Sequence, residues 1–183
     1  MNMIPQVEKS SALLNRKLTR TALLLALALS FQIGLMPLAQ PAVGPLVNMT
    51  LLMAVMVVGP APAVVIGCIT PLMAFLLGIM PLPILVPVVM LGNTALILVY
   101  TLMANRLTKG LPLLSVMAGA TAKFLVMASL IRLTAHFFMP NMPPRLVHAF
   151  SLPQLFTALL GGVMALLILR CLPLRSEKHH FFR

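Results

Sequence analysis

Between Glu8 and Glu177 the chain has no aspartate or glutamate. Catalysis by a pair of carboxylates is thereby excluded. The acidic relays on which proton- and sodium-coupled transporters usually rely are missing as well. Tryptophan is absent and Tyr100 is the only tyrosine, which argues against a pocket built on aromatic stacking. Flavins and folates are disfavoured ligands on that ground, although phenylalanines could still stack. No glycine- and lysine-containing loop cradles a nucleotide phosphate, so the chain itself does not hydrolyse ATP. Cys68 and Cys171 fall in different apolar segments without metal-ligand spacing. His136 and His148 have no acidic or cysteine neighbour, and His179 and His180 sit in a basic tail. No metal centre or enzyme activity is expected from this set.

What the chain has in abundance is hydrocarbon. It is 61% hydrophobic with a mean hydropathy of +1.08, well above the roughly half that is usual for soluble domains. Lipid must be the solvent. A membrane-spanning chain of 183 residues forms one compact domain, with no room for a separate catalytic or nucleotide-binding module. The net charge of +11 would suggest nucleic acid in a soluble protein. In a membrane protein it has a simpler cause, because basic residues flank spans on the cytoplasmic side, so no nucleic-acid partner is expected. A cleavable signal is not expected either, since the first span reads as long enough to cross.

Proline and glycine punctuation predicts an all-α, polytopic bundle of six transmembrane helices. They cover about 18–35, 47–58, 63–79, 84–105, 113–138 and 152–172. Residues 18–172 then form the membrane domain, between an N-terminal tail 1–17 and a basic C-terminal tail 173–183. A span needs about 20 residues, so the second and third helices are short or bent. Pro71 predicts a kink in the third, and Gly59-Pro60-Ala61-Pro62 a tight hairpin before it. The runs are continuous rather than alternating, so helices are the spanning elements.

Basic residues set the orientation. Lys9, Arg16, Lys17 and Arg20 precede the first helix, Arg106 and Lys109 separate the fourth and fifth, and Arg170, Arg175, Lys178 and Arg183 end the chain. An even number of spans puts all three clusters on one face, predicted to be cytoplasmic along with both termini. Lys123, Arg132 and Arg145 are left over, and they lead from the outside towards the bilayer centre. Such a basic funnel attracts anions. For Arg132 and Arg145 contact with lipid phosphates is the plainer alternative.

Lys123 lies in the apolar run from Leu111 to Met139. A lysine at the centre of a span costs roughly 2.5–3.5 kcal/mol on insertion scales. With no acid in the membrane domain to meet it, its partner is expected to be an anionic ligand. A neutral lysine, or one that snorkels to an interface, remains open. Asn93 is predicted at similar depth, beside Gly92, whose missing side chain allows close approach of a backbone or ligand. It could equally serve an interhelical hydrogen bond. Asn48, Thr50, Gln154 and Thr157 open their helices in the outer half, and Gln40 lies in an outer loop over 36–46 that suits a lid or a plain connector. Lys123, Asn93, Arg132, Gln154 and Asn48 form the candidate substrate set.

Small residues one turn apart let helix backbones approach. Ala22 and Ala26 are so spaced in the first helix, with Ala28 nearby, and similar stripes occur at 118–122 and from Gly161-Gly162 to Ala165. Internal packing is the usual role. An exposed stripe would instead dock another membrane protein.

With its six helices, Lys17-Leu-Thr-Arg-Thr-Ala-Leu-Leu-Leu-Ala26, Gly67-Cys-Ile-Thr-Pro71, Gly92-Asn-Thr-Ala-Leu96, and Gln154-Leu-Phe-Thr-Ala158 followed by Gly161-Gly162, the chain resembles an S-component over nearly its full length. S-components are the substrate-specific membrane subunits of energy-coupling factor (ECF) transporters. The resemblance implies a multi-pass protein of a prokaryotic plasma membrane that captures a vitamin-like micronutrient from outside, using the first outer loop and helices four to six. It implies partners as well: a transmembrane coupling protein, contacted through an alanine-x-x-x-alanine motif matched by Ala22 and Ala26, and two ATPases that use the ATP. No cofactor is implied for this chain. Lys123 with Asn93 and Arg132 favours a small carboxylate-bearing molecule, and a pantothenate-like ligand is the specific expectation, with biotin-like acids and other carboxylates open. A membrane scaffold or assembly subunit and an anion channel or facilitator are the competing classes.

Overall fold

The computed structural model describes residues 4–35, 40–107 and 111–171, with side chains from 11 in the first stretch and from 42 in the second. Seven helices and no strand form among the described residues: α1 Ile4–Gly34, α2 Gln40–Val57, α3 Pro60–Leu76, α4 Leu85–Arg106, α5 Pro112–Phe137, α6 Pro144–Ala149 and α7 Leu152–Cys171. The all-α class follows from the sequence as expected. The six long helices coincide with the six predicted segments, and α6 is a short addition in the loop before α7.

Two helix starts differ from expectation. α1 begins at Ile4 rather than near Leu18, so most of the expected N-terminal tail is helical. Ile4–Lys17 contains good helix formers, and its one proline, Pro5, falls in the first turn where its missing N–H costs nothing. α2 begins at Gln40 rather than Val47, which turns most of the expected outer loop into helix. Pro45 lies inside this helix. Tertiary contact supports the extension. A Cβ on Gly44 would stand 2.9 Å from Thr157 Cγ2, and one on Gly161 would overlap the Pro45 carbonyl, so the start of α2 lies directly on the backbone of α7.

The hairpin between α2 and α3 forms as read. Gly59 takes φ 119°, a conformation that side chains rarely adopt, and Pro60 follows at the first helical position. The Gly59 N–H returns to the Ala54 carbonyl at 3.0 Å.

Glycines also bring α4, α5 and α7 together. A Cβ on Gly92 would collide with Met127, one on Gly162 with Val116, and one on Gly119 would sit 2.9 Å from the Leu96 carbonyl. The most extensive packing is accordingly α4 on α5 and α2 on α7, with α1 flanking α2 and α3. Three apolar clusters fill the interior. Leu85, Val88, Met127 and Ile131 pack at one end, Leu52, Leu96, Val116 and Ala158 towards the other, and Ala28, Leu51, Ile66 and Ile97 beneath α1. Among the described residues, three helical segments are long and apolar enough to cross a membrane: Leu85–Arg106, Pro112–Phe137 and Pro144–Cys171. Ala42–Val57 and Pro60–Leu76 are apolar but shorter, as expected for the second and third helices. Leucines on the outside of the bundle, Leu23, Leu98, Leu125 and Leu167 among them, are exposed in the manner of a lipid-facing surface.

Candidate functional site

α3 sets up the site through what it lacks. Pro71 has no N–H, so the carbonyl four residues earlier, that of Gly67, receives no helical hydrogen bond. Asn93 on α4 fills the gap, its Nδ2 donating to the Gly67 oxygen at 2.8 Å. The approach is close because Gly67 has no side chain. A Cβ there would lie 3.1 Å from Asn93 Cβ. With its nitrogen fixed on α3, the amide turns its oxygen to α5, where Lys123 Nζ donates to Oδ1 at 2.7 Å.

A second asparagine meets the same ammonium from α2. Lys123 Nζ donates to Asn48 Oδ1 at 2.6 Å, and Asn48 Nδ2 reaches Thr157 Oγ1 on α7 at 3.4 Å. Thr157 in turn donates to the Gln154 carbonyl at 3.2 Å. Gly161, one turn further along α7, permits this contact, since a Cβ there would stand 2.8 Å from Asn48 Cβ. One hydrogen-bonded layer therefore joins α2, α3, α4, α5 and α7, with Lys123 at its centre. Lys123 is only 3% exposed, which rules out a lysine snorkelling to an interface.

Lys123, Asn48 and Asn93 line a cavity of about 350 Å³. That is near the lower end of the range typical for small-molecule sites, about 300–1,000 Å³. Its walls are mostly apolar, from Val43, Val47, Pro71, Ala74, Ile79, Met80, Val89 and Phe150. Its other polar residues are Gln32, Thr70 and Gln154. All lie in the half of the bundle opposite Arg16, Arg20, Arg106 and Arg170.

Among the candidate residues the structure brings together Lys123, Asn93, Asn48 and Gln154. Both ends of each asparagine amide are engaged, so these residues hold Lys123 rather than offering a free polar group. Arg132 stands apart. It is exposed on α5, bonds the Ala128 carbonyl of its own helix at 3.2 Å, and does not line the cavity. Arg145 is exposed on α6. Thr50 is buried but bonds the Leu46 carbonyl within α2. The Gln40 side chain lies outside the described residues, as do His179 and His180. His136 and His148 are exposed, and no group of three metal-binding side chains occurs among the described residues.

Gln32 and Thr70 were not legible as site residues. Gln32 carries the same signal as Asn93, a lone amide in an apolar helix, but falls near the end of α1, where water could satisfy it. Only packing shows it buried, with Nε2 donating to the Thr70 carbonyl at 3.1 Å.

A second cavity, of about 440 Å³, opens at the basic end between α1, the α2–α3 hairpin and α4. Its charged residues, Arg16, Lys17 and Arg20, are exposed or half-buried, so it lacks a desolvated charge such as Lys123. On the outer face of α1, Ala22 and Ala26 are exposed while Ala28 is fully buried. Comparison with protein-family models, curated proteins and solved structures found no match.

Proposed function

We propose that the chain is the substrate-binding S-component of an ECF-type importer, and that it captures a small carboxylate-bearing micronutrient on Lys123. One observation carries this reading: a lysine buried at the wall of a small-molecule-sized cavity, in a chain with no acid between residues 8 and 177. The two asparagine oxygens satisfy hydrogen bonds but supply no charge. An uncompensated ammonium out of water is costly, and an anion in the cavity offsets that cost. The third N–H of the ammonium is available for it. The cavity size favours a molecule of pantothenate or biotin scale over larger cofactors.

The placement of the cavity supports capture from outside. It occupies the half opposite the basic clusters, which the positive-inside rule puts in the cytoplasm together with both termini. Six crossings of a prokaryotic plasma membrane satisfy this arrangement. The exposed pair Ala22 and Ala26 supports docking on a transmembrane coupling protein, whose two ATPases would drive release inward.

A scaffold subunit is the rival that a specific observation favours. A neutral amine has two N–H groups, and Asn48 and Asn93 would satisfy both. The test is Lys123→Gln, which keeps two donors on a side chain one bond shorter and removes the charge. Ligand retention is read by native mass spectrometry of the purified chain, before and after incubation with carboxylate vitamins. A stoichiometric anionic adduct on the wild type that is lost in the variant is the expected result. Absence of any adduct on the wild type after the full panel would overturn the binding reading.

A further inference from the structure

The polar groups of the cavity fall in two layers. The lower layer is Lys123 with Asn48 and Asn93, tied to Gly67 on α3 and Thr157 on α7. The upper layer is displaced along both of these helices by three residues, to Thr70 on α3 and Gln154 on α7. At 1.5 Å per residue the two layers are about 5 Å apart.

The upper layer has a distinct chemistry. Gln32 Nε2 donates to the Thr70 carbonyl at 3.1 Å, and Gln154 Nε2 to the Ala149 carbonyl at 3.3 Å. Each glutamine thus has one of its two N–H groups engaged by main chain, and retains the acceptor Oε1 and a second N–H. Thr70 lines the cavity beside Gln32, is 2% exposed, and its hydroxyl is buried without a hydrogen-bond partner. A buried hydroxyl without a partner is a cost that native structures rarely leave uncorrected. Above an ammonium, the site therefore presents two amide oxygens, each with one remaining N–H beside it, and an unsatisfied hydroxyl.

Resting on the carboxylate reading above, we infer that the ligand is two-ended: an anionic group on Lys123, and a neutral hydrogen-bond donor, an amide N–H or a hydroxyl, about 5 Å away at Gln32, Thr70 and Gln154. The neutral end makes the site selective among acids of equal charge. A plain fatty acid of the same length fills the cavity but leaves the upper layer unpaired, and sites built to hydrogen-bond a ligand discriminate strongly against analogues that lack the group.

The experiment uses the full chain in lipid nanodiscs and two isosteric probes. N-butanoyl-β-alanine carries an amide N–H beyond its carboxylate. 5-Oxooctanoate replaces that N–H by CH₂ and changes nothing else. Pantothenate, an N-acyl-β-alanine with added hydroxyls, serves as a third probe. Equilibrium dialysis is run on the wild type, Gln32→Leu, the near-isosteric Thr70→Val, and Lys123→Gln. The expected result is that the wild type prefers the amide over the ketone by about ten-fold. In Gln32→Leu or Thr70→Val that preference shrinks towards unity with 5-oxooctanoate affinity retained, and in Lys123→Gln all three acids are lost. If the wild type binds amide and ketone equally, or both upper-layer variants keep the wild-type preference, the two-ended ligand is wrong while the carboxylate site stands. If no acid binds the wild type, the carboxylate site itself fails.

Discussion

The Lys123 ammonium meets two amide oxygens and, among the described residues, no opposite charge. Its two asparagine partners are the means of separating a ligand site from a structural tie. Asn48→Asp would put a carboxylate on the ammonium, and the Thr157 hydroxyl can turn to donate to it. If Lys123 serves an external anion, this internal one displaces it. Ligand affinity should then fall at least 100-fold while the melting temperature is kept or raised, as read by dialysis and by thermal unfolding of the same sample. Unchanged affinity would mean the ligand does not use the ammonium. Removing Asn93 acts differently, because it leaves both the Gly67 carbonyl and one lysine N–H unpaired. Asn93→Leu should destabilise the chain by about 2–4 kcal/mol, summing two buried unsatisfied groups of roughly 1–3 kcal/mol each with partial relaxation. Denaturant titration in mixed micelles would measure it.

Among the helices, α3 and α7 are the ones whose irregularities serve the site. Pro71 frees the Gly67 carbonyl, which in turn aims Asn93. Restoring an N–H with Pro71→Ala gives the Gly67 carbonyl a helical partner that competes with Asn93. The expected outcome is weaker ligand binding, by about three- to ten-fold, with stability unchanged or slightly improved, since a mid-helix proline is itself unfavourable. Equal affinity in dialysis would show that Asn93 needs no help from α3. Gly161 has the converse task. Gly161→Val drives a side chain into the Pro45 carbonyl and Asn48. Overpacking of this kind costs about 1–3 kcal/mol, and here it would separate α2 from α7 and lower the melting temperature. Four polar residues of the cavity, Lys123, Asn93, Asn48 and Gln154, were legible in the sequence because a polar side chain in an apolar run needs a partner. Their division of labour was not legible, because hydrogen-bond geometry depends on which helices adjoin. Arg132 carried the same signal as Lys123 and lies outside the cavity. The two are nine residues apart, which puts them on roughly opposite sides of α5, and which side faces a neighbouring helix needs the position of that neighbour.

For the molecule as a whole, the two ends have different work. The cavity lies at one end, and Arg16, Arg20, Arg106 and Arg170 lie towards the other. The Ala22–Ala26 face runs along the outside of α1, and none of the described residues covers it. Placing a bulky residue there, as in Ala22→Trp or Ala26→Trp, should leave ligand affinity within two-fold of wild type. If the proposed importer function holds, it should abolish uptake in vesicles that also contain a coupling protein and ATPases. Loss of binding as well would assign the stripe to internal support of the cavity.

Composition alone determined that the chain is helical and built for lipid. An excess of apolar residues in long uninterrupted runs leaves the backbone no other way to satisfy its hydrogen bonds. The lack of acids alone determined that Lys123 has no ionic partner within the membrane domain. Tertiary structure decided what the lysine meets instead, that Gln32 and Thr70 join it, and that α2 starts early enough to press on α7. Those outcomes rest on close approaches between residues 26 to more than 100 positions apart, made possible by Gly67, Gly92 and Gly161. No local pattern encodes a contact whose partner lies on another helix.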